Sequence, residues 1–238
     1  MKRLIEMSVV WKQVFAWSLA AILLAAAGCG SGNETDAKTD AGNSPAEQNG
    51  APSAAPDSSA APAASLAPAV RIDTTLGSIT VELDPERAGV TVNNFLKYVD
   101  RGQYDNTIFH QVFKDKVVLG GSFTPELEEK PTDGPIYNEA RNGLKNVRAT
   151  IAMARQSDVI DSATAQFFIN VQDNPSLDHK ETAGGETQPQ DYGYCVFGKV
   201  TEGMEVVDKI SNLPVHDRSG FEQTPVETVR ITSITQLR

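Results

Sequence analysis

Phe109-His-Gln-Val-Phe-Lys-Asp-Lys-Val-Val-Leu-Gly-Gly-Ser-Phe123 is the stretch that decides the fold of this chain. Its apolar residues predict two short strands, 107–112 and 117–120. The pattern continues on both sides. Val70–Thr74 and Ser78–Leu83 alternate apolar and polar residues around a turn holding Leu76-Gly77, a β-hairpin signature. Further short strands are expected around 149–154, 166–170 and 194–200, with a last one over 226–237. In that last strand the apolar residues fall at Val229 and Ile231, then slip to Ile234. Such a change of parity predicts a bulge or sheet corner, as closing a barrel often requires. Two helices interrupt the strands. Val92, Phe95, Leu96 and Val99 share one face of a helix over 91–98, with Thr91 as its predicted N-cap and Gly102 as its stop. Met204, Val207 and Ile210 do the same over 204–213. Many short strands with two helices, one near each end of the set, predict a mainly β domain, a barrel capped by helices.

The 238-residue chain is not uniform. No aromatic residue occurs between Trp17 and Phe95, so the globular part begins near Val70. Residues 1–28 have a basic start (Lys2, Arg3 and Lys12 against Glu6) and an apolar run from Val14 to Ala27. About 14 apolar residues suit a signal peptide, whereas a membrane span needs roughly 20. Translation from Met7 would remove the unusual Glu6. The end of the run, Ala26-Ala-Gly-Cys29, resembles the lipobox of bacterial lipoproteins, where Leu is more usual than Ala at the position of Ala26. That resemblance implies cleavage before Cys29 and its diacylation, and two acyl chains suffice for stable anchoring. An ordinary secretory signal with an incidental Cys29 is the other reading.

Residues 30–68 are rich in Gly, Ser, Ala, Pro, Asn, Asp, Thr and Gln, with Leu66 their one large aliphatic. Such a stretch buries too little to offset its ordering entropy and is expected to be a disordered linker. The division is therefore 1–28 signal peptide, 29–68 lipidated Cys29 and linker, and 69–238 folded domain. The expected location is the outer face of the bacterial cytoplasmic membrane, reached through a lipid anchor.

The net charge is −10, and the leader contributes +2 of opposite sign, leaving about −12 for the remainder. No Lys/Arg cluster or stripe is present, which excludes a nucleic-acid-tracking surface. The three histidines are scattered, so no metal site is expected, and no cofactor is implied. A Cys29–Cys195 disulfide is not expected, because one cysteine ends a leader and the other lies in an apolar strand. Cys195 reads as a small buried hydrophobe, and His110 as a structural histidine.

The motifs of the folded domain are specific. They are Thr91-Val-Asn-Asn-Phe-Leu96, Tyr104-Asp-Asn-Thr-Ile-Phe-His110, Gly120-Gly-Ser-Phe123, Asn138-Glu-Ala140, Asn142-Gly143, Ile151-Ala-Met-Ala-Arg155, Ser162-Ala-Thr-Ala-Gln-Phe-Phe-Ile-Asn170 and Tyr192-Gly-Tyr-Cys-Val-Phe-Gly198. Together they resemble the cyclophilin family of peptidyl-prolyl isomerases, its bacterial branch above all, from about Val70 to the C-terminus. The resemblance implies a closed eight-stranded antiparallel barrel with a helix over each opening. It also implies a peptide groove: Phe168 as the floor of a proline pocket, Leu177 as a wall, Gln166 as a backbone-binding amide. Met153 and Ala154 match the strand beside the peptide, and Tyr194 stands where bacterial members commonly have tyrosine.

Four positions depart from the family pattern. Its catalytic arginine falls at Gln111, its pocket phenylalanine and methionine at Lys116 and Val117, and its substrate-orienting glutamine at Leu119. The chemistry implied is rotation about an X–Pro bond, whose barrier is ~18–20 kcal/mol. A donor aimed at the prolyl nitrogen favours the twisted amide, because that lone pair is available only in the transition state. Gln111 is a shorter, neutral donor, so a weakened isomerase acting on exported proteins is expected. Arg148 and Arg155 are candidates for replacing the missing guanidinium in space. The alternatives are a non-catalytic module or envelope chaperone that holds proline-containing segments, and a structural spacer, which would have no use for a groove.

Overall fold

The computed structural model describes residues 67–181 and 187–237. The leader, nearly all of the linker and Cys29 lie outside the described residues. Eight strands close a barrel: β1 (Ala69–Thr74), β2 (Gly77–Leu83), β3 (Thr107–Phe113), β4 (Val117–Gly120), β5 (Thr150–Met153), β6 (Phe167–Asn170), β7 (Val196–Glu202) and β10 (Arg230–Leu237). Their order around the barrel is β1-β10-β3-β4-β6-β5-β7-β2, every pair antiparallel. β8 (Val215–Arg218) and β9 (Phe221–Pro225) form a separate hairpin. Among the described residues the α-helices are α1 (Gly89–Asp100) and α2 (Met204–Ser211).

The parity slip in the last strand is a bulge. Asp73 pairs with Ser233 but Thr74 pairs with Ile231, which leaves Thr232 as the extra residue. That single insertion lets Ile231 and Ile234, three apart, both enter the core. The strand itself begins at Arg230, four residues later than its apolar pattern suggests, although Val229 is already fully buried.

The barrel interior is filled by alternate residues of the strands, with Val70, Ile72, Ile79, Val81, Phe109 and Phe197 in one cluster. Each helix adds its apolar face. In α1, Phe95 packs against Tyr104, Phe167 and Phe197 at centroid distances of 5.2, 5.8 and 5.2 Å. In α2, Val206, Val207 and Ile210 join the same cluster. α2 lies at the end of the barrel carrying the β3–β4 turn, where Ser211 Oγ accepts the Asp115 amide. α1 lies at the opposite end, beside the starts of β3 and β6.

Thr91 is not the N-cap of α1. The helix starts two residues earlier, and Thr91 is fully buried within its first turn. The free amides there are satisfied from outside the helix. Glu139 accepts the amides of Val90 and Thr91 and the Thr91 hydroxyl, at 3.1, 2.8 and 2.7 Å. A carboxylate against a helix N-terminus is favoured by both hydrogen bonding and the macrodipole. At the other end, Gly102 adopts φ +64° and its amide bonds Val99 O, while Gln103 N bonds Tyr98 O. This pair of bonds is the Schellman stop that a glycine at that position allows.

Candidate active site

One stretch of β3 sets up the site. Phe109 pairs with Gly120 and Gln111 with Leu119, so His110 is an extra residue and β3 is bulged there. Phe109 and Val112 remain in the interior cluster, whereas Gln111 and Phe113 do not. Bulges commonly re-aim side chains in this way. Beyond the bulge, Gly121 (φ +100°) lets the chain turn beneath Phe167, whose ring would lie 2.9 Å from an added Cβ.

Outside the barrel interior lies a second apolar cluster, made of Val117, Leu119, Ala152, Ala154, Phe168, Tyr194 and Val196. Register explains it. Leu119 of β4 pairs with Phe168 of β6, Phe168 with Ala152 of β5, and Ala152 with Val196 of β7. Four adjacent strands thus contribute one residue each to a continuous outer floor. Phe113, Leu144 and Leu177, partly buried, form its rim.

Of the residues expected to hold peptide, the structure brings Phe168, Leu177, Ala154, Tyr194, Val117 and Leu119 together in this cluster and its rim. Met153 is not among them. It packs in the interior cluster opposite Phe167, as alternation along β5 requires. Lys116 is not a pocket residue either. It is exposed in the β3–β4 turn, its amide bonded to Phe113 O at 2.9 Å. The aromatic side chain at this edge is Phe113, three residues earlier, on the outward side of β3. Phe168 has no exposed surface, so the rim covers the floor in this conformation.

Tyr194 is held in place from three sides. Its ring meets Phe168 edge-on at 5.7 Å, and the Arg155 guanidinium lies 4.8 Å from the ring centre. Its amide bonds the carbonyl of Leu177 at 3.0 Å. Burial pushes the Tyr194 phenol up to about 12, opposed by the charge of Arg155. Arg155 is itself buried and donates to the carbonyls of Gly193, Gln156 and Pro189 at 2.8, 2.7 and 2.6 Å. Burial lowers its pKa, offset by the surrounding tyrosines and aspartates. Arg148 pairs with Asp208 at 2.8 Å and donates to Val171 O. Both guanidiniums are therefore committed to structural partners and neither replaces the missing arginine.

The two glutamines differ. Gln166 is buried; its backbone carbonyl accepts the Ala154 amide at 2.9 Å, and its side-chain Oε1 finds no partner among the described residues. A buried amide oxygen of that kind suits a ligand's N–H. Gln111 is 1% exposed and its Nε2 donates to the carbonyl of Glu222, in β9, at 3.1 Å, leaving Oε1 without a partner among the described residues. The β8–β9 hairpin thus occupies the donor at the family's arginine position. The hairpin is fastened to β3 by rings as well: Phe221 packs on His110 at 5.5 Å and on Phe123 at 4.8 Å.

Sequence reasoning missed this hairpin. Its signal is Ser219-Gly220 between Val215 and Phe221, and both turn residues adopt positive φ (52° and 85°), as a two-residue hairpin turn demands. The Asn138-Glu-Ala140 and Asn142-Gly143 motifs also have local explanations. Asn138 Nδ2 donates to Gly193 O, and Asn142 Nδ2 to Val196 O, stapling the 121–149 connection beside the site.

A closed antiparallel barrel with a helix at each end and an outer aliphatic–aromatic groove bordered by amides defines a class of peptide-handling proteins. The family described as cyclophilin type peptidyl-prolyl cis-trans isomerase/CLD matches residues 69–236, and the chain belongs to it. The chain is 48% identical over 164 residues to peptidyl-prolyl cis-trans isomerase cyp18 of Streptomyces antibioticus, covering 69% of this chain and 95% of that protein. It is 48% identical over 167 residues to peptidyl-prolyl cis-trans isomerase B of Escherichia coli strain K12, covering 70% and 98%. Among solved structures it is similar to a Cryptosporidium parvum cyclophilin type isomerase, with a TM-score of 0.60, 26% identity and coverage of 72% and 98%. A second crystal structure of that protein, in the presence of the dipeptide Ala-Pro, matches with a TM-score of 0.59 and 27% identity, covering 71% and 99%. These relatives are enzymes, and the family is an enzyme family.

Proposed function

We propose that this chain is a weak peptidyl-prolyl cis-trans isomerase that acts on X–Pro bonds of exported proteins, tethered through a lipid on Cys29 to the outer face of the cytoplasmic membrane. The carrying observation is the outer cluster around Phe168, with the Gln166 side-chain Oε1, which has no partner among the described residues, at its border. An apolar floor takes the proline ring, and an amide oxygen takes a peptide N–H beside it. No nucleophile or metal is needed for rotation about the amide. The Cryptosporidium parvum structure determined with Ala-Pro supports the same ligand class.

Weakness follows from Gln111. A neutral hydrogen bond contributes ~0.5–1.5 kcal/mol against ~1.5–3 for a charge-assisted one, a difference of about tenfold in rate. Here the Gln111 amide must first leave the Glu222 carbonyl. That engagement favours a second reading, a module that binds proline-containing segments with little turnover. Exchange spectroscopy on an Ala-Pro peptide with the purified full chain separates them. Accelerated cis–trans exchange supports the isomerase, whereas binding without acceleration at high enzyme concentration leaves the module. For the tether, Cys29→Ala should release the protein from membranes, and retention there would rule out the lipid as anchor.

A further inference from the structure

We infer that the Gln111 side chain serves the groove as a hydrogen-bond acceptor, so that the groove holds apolar segments with a backbone N–H at that border more tightly than prolyl ones. The inference rests on the reading of the Phe168 cluster as a peptide groove and adds an activity to it, the binding of segments without proline. Three observations lead to it: the orientation of the Gln111 amide, the lack of a donor to its oxygen among the described residues, and the place of Gln111 in the row that forms the floor.

Gln111 Nε2 lies 3.1 Å from the Glu222 carbonyl oxygen. A carbonyl only accepts, so this contact fixes which end of the amide is the nitrogen. The atom left over is Oε1, on a residue that is 1% exposed. The side chains around it supply no donor. Leu119, opposite Gln111 in the ladder, has none to give. His110 precedes Gln111, and Thr224 follows Glu222 by two residues in β9, yet the His110 ring nitrogens and Thr224 Oγ1 have no partner among the described residues. Gln111 Oε1 is in the same state, a buried acceptor with no partner among the described residues. Such an atom costs stability until a donor arrives, so an occupant that brings one is favoured.

Register carries Gln111 to the floor. It pairs with Leu119, and Leu119 pairs with Phe168. Gln111 and Phe168 are therefore two strands apart in one row, ~10 Å at ~4.8 Å per strand. A residue whose side chain lies on Phe168 has its backbone beside that row, and its own N–H is the donor offered to Gln111. Gln166 stands two residues before Phe168, ~7 Å along the chain, and its Oε1 is a second acceptor of the same kind. Two acceptors at two borders of one apolar floor suit an extended segment that donates at both. Valine meets that demand, whereas proline has no N–H. A proline on the floor leaves Gln111 Oε1 without a donor, and a site built to take an N–H discriminates against the analogue that lacks one. Weak turnover of X–Pro and a preference for non-prolyl segments then have one cause.

The test uses the full chain, kept in neutral detergent micelles, and three fluorescein-labelled peptides read by anisotropy. They are Gly-Ala-Ala-Val-Ala-Gly, the same peptide with N-methylvaline at the centre, and the same with proline there. N-methylvaline keeps the side chain and removes only the N–H. The expected result is that the valine peptide binds about three- to tenfold tighter than either of the others, the range of one neutral hydrogen bond. In Gln111→Leu, which has no acceptor, and in Gln111→Arg, which only donates, the three affinities should come within about twofold of one another. The comparison in the unaltered chain stands even if a variant fails to fold. Equal binding of all three peptides there, or tightest binding of the proline peptide, overturns the inference while leaving the groove intact. A preference for valine that survives in both variants overturns the assignment to Gln111 and moves it to Gln166. If no peptide binds, the groove reading itself fails, and this inference with it.

Discussion

Gln111 Nε2 donates to the Glu222 carbonyl at 3.1 Å, so the side chain at the family's arginine position is tied to the β8–β9 hairpin. A guanidinium there would reach further and carry charge. Gln111→Arg is expected to raise kcat/KM for an Ala-Pro peptide by about tenfold or more, the difference between a neutral and a charge-assisted donor. Gln111→Leu should lower it by no more than about twofold, because the present donor is already engaged. Exchange spectroscopy on both variants decides. An unchanged Gln111→Arg would move the limitation to Val117 and Leu119.

Phe113 and Lys116 separate two accounts of the pocket edge. Phe168 has no exposed surface, and Phe113 belongs to the rim packed against its cluster. A proline ring reaches the floor only after a rim side chain moves. Phe113→Ala should therefore lower KM by about three- to tenfold, up to the ~1.4 kcal/mol that a factor of ten represents. Lys116→Ala should change it by less than about twofold, since Lys116 is exposed in the turn. A raised KM in Phe113→Ala would instead make this ring a wall that contacts substrate.

Arg155 supports Tyr194 without being able to act on substrate itself. Its guanidinium is spread over the carbonyls of Gly193, Gln156 and Pro189 and stacked on the tyrosine ring. Lysine has neither the planar fork nor the stacking face. Arg155→Lys should cost roughly 2–4 kcal/mol in urea unfolding, as buried acceptors lose their donors. Peptide affinity, read by titration, should fall with it, because Tyr194 borders the groove.

Much of this is legible in the sequence, and the limits have physical causes. The bulge at Thr232 can be read because Ile231 and Ile234 break a period of two. The outer cluster is legible through Phe168, Leu177 and Tyr194, whose motifs are specific. Lys116 misleads because matching by position cannot see that the turn carries it into solvent, while Phe113 comes round to the rim. Thr91 misleads because its real partner, Glu139, lies 48 residues away. The Gln111–Glu222 contact spans 111 residues and uses a backbone carbonyl, which leaves no trace in residue type.

His110 gives the fold a defined acid sensitivity. It is the extra residue of the β3 bulge, fully buried between Phe123 and Phe221, and neither side-chain ring nitrogen finds a hydrogen-bond partner among the described residues. Burial lowers its pKa to about 3, opposed by the neighbouring Ile108 backbone. In the unfolded chain the ordinary value is ~6.5. Between those values the unfolded state binds more protons, so stability is fully present above pH ~6.5 and declines as the pH falls toward the folded value. The slope approaches ~1.4 kcal/mol per pH unit, which gives a loss of roughly 2 kcal/mol between about pH 7 and pH 5. Urea unfolding at the two pH values measures it. In His110→Phe, which removes the titrating group and fits an aromatic site, the loss over that window should shrink to a few tenths of a kcal/mol. An undiminished loss in that variant would assign the acid sensitivity to groups other than His110.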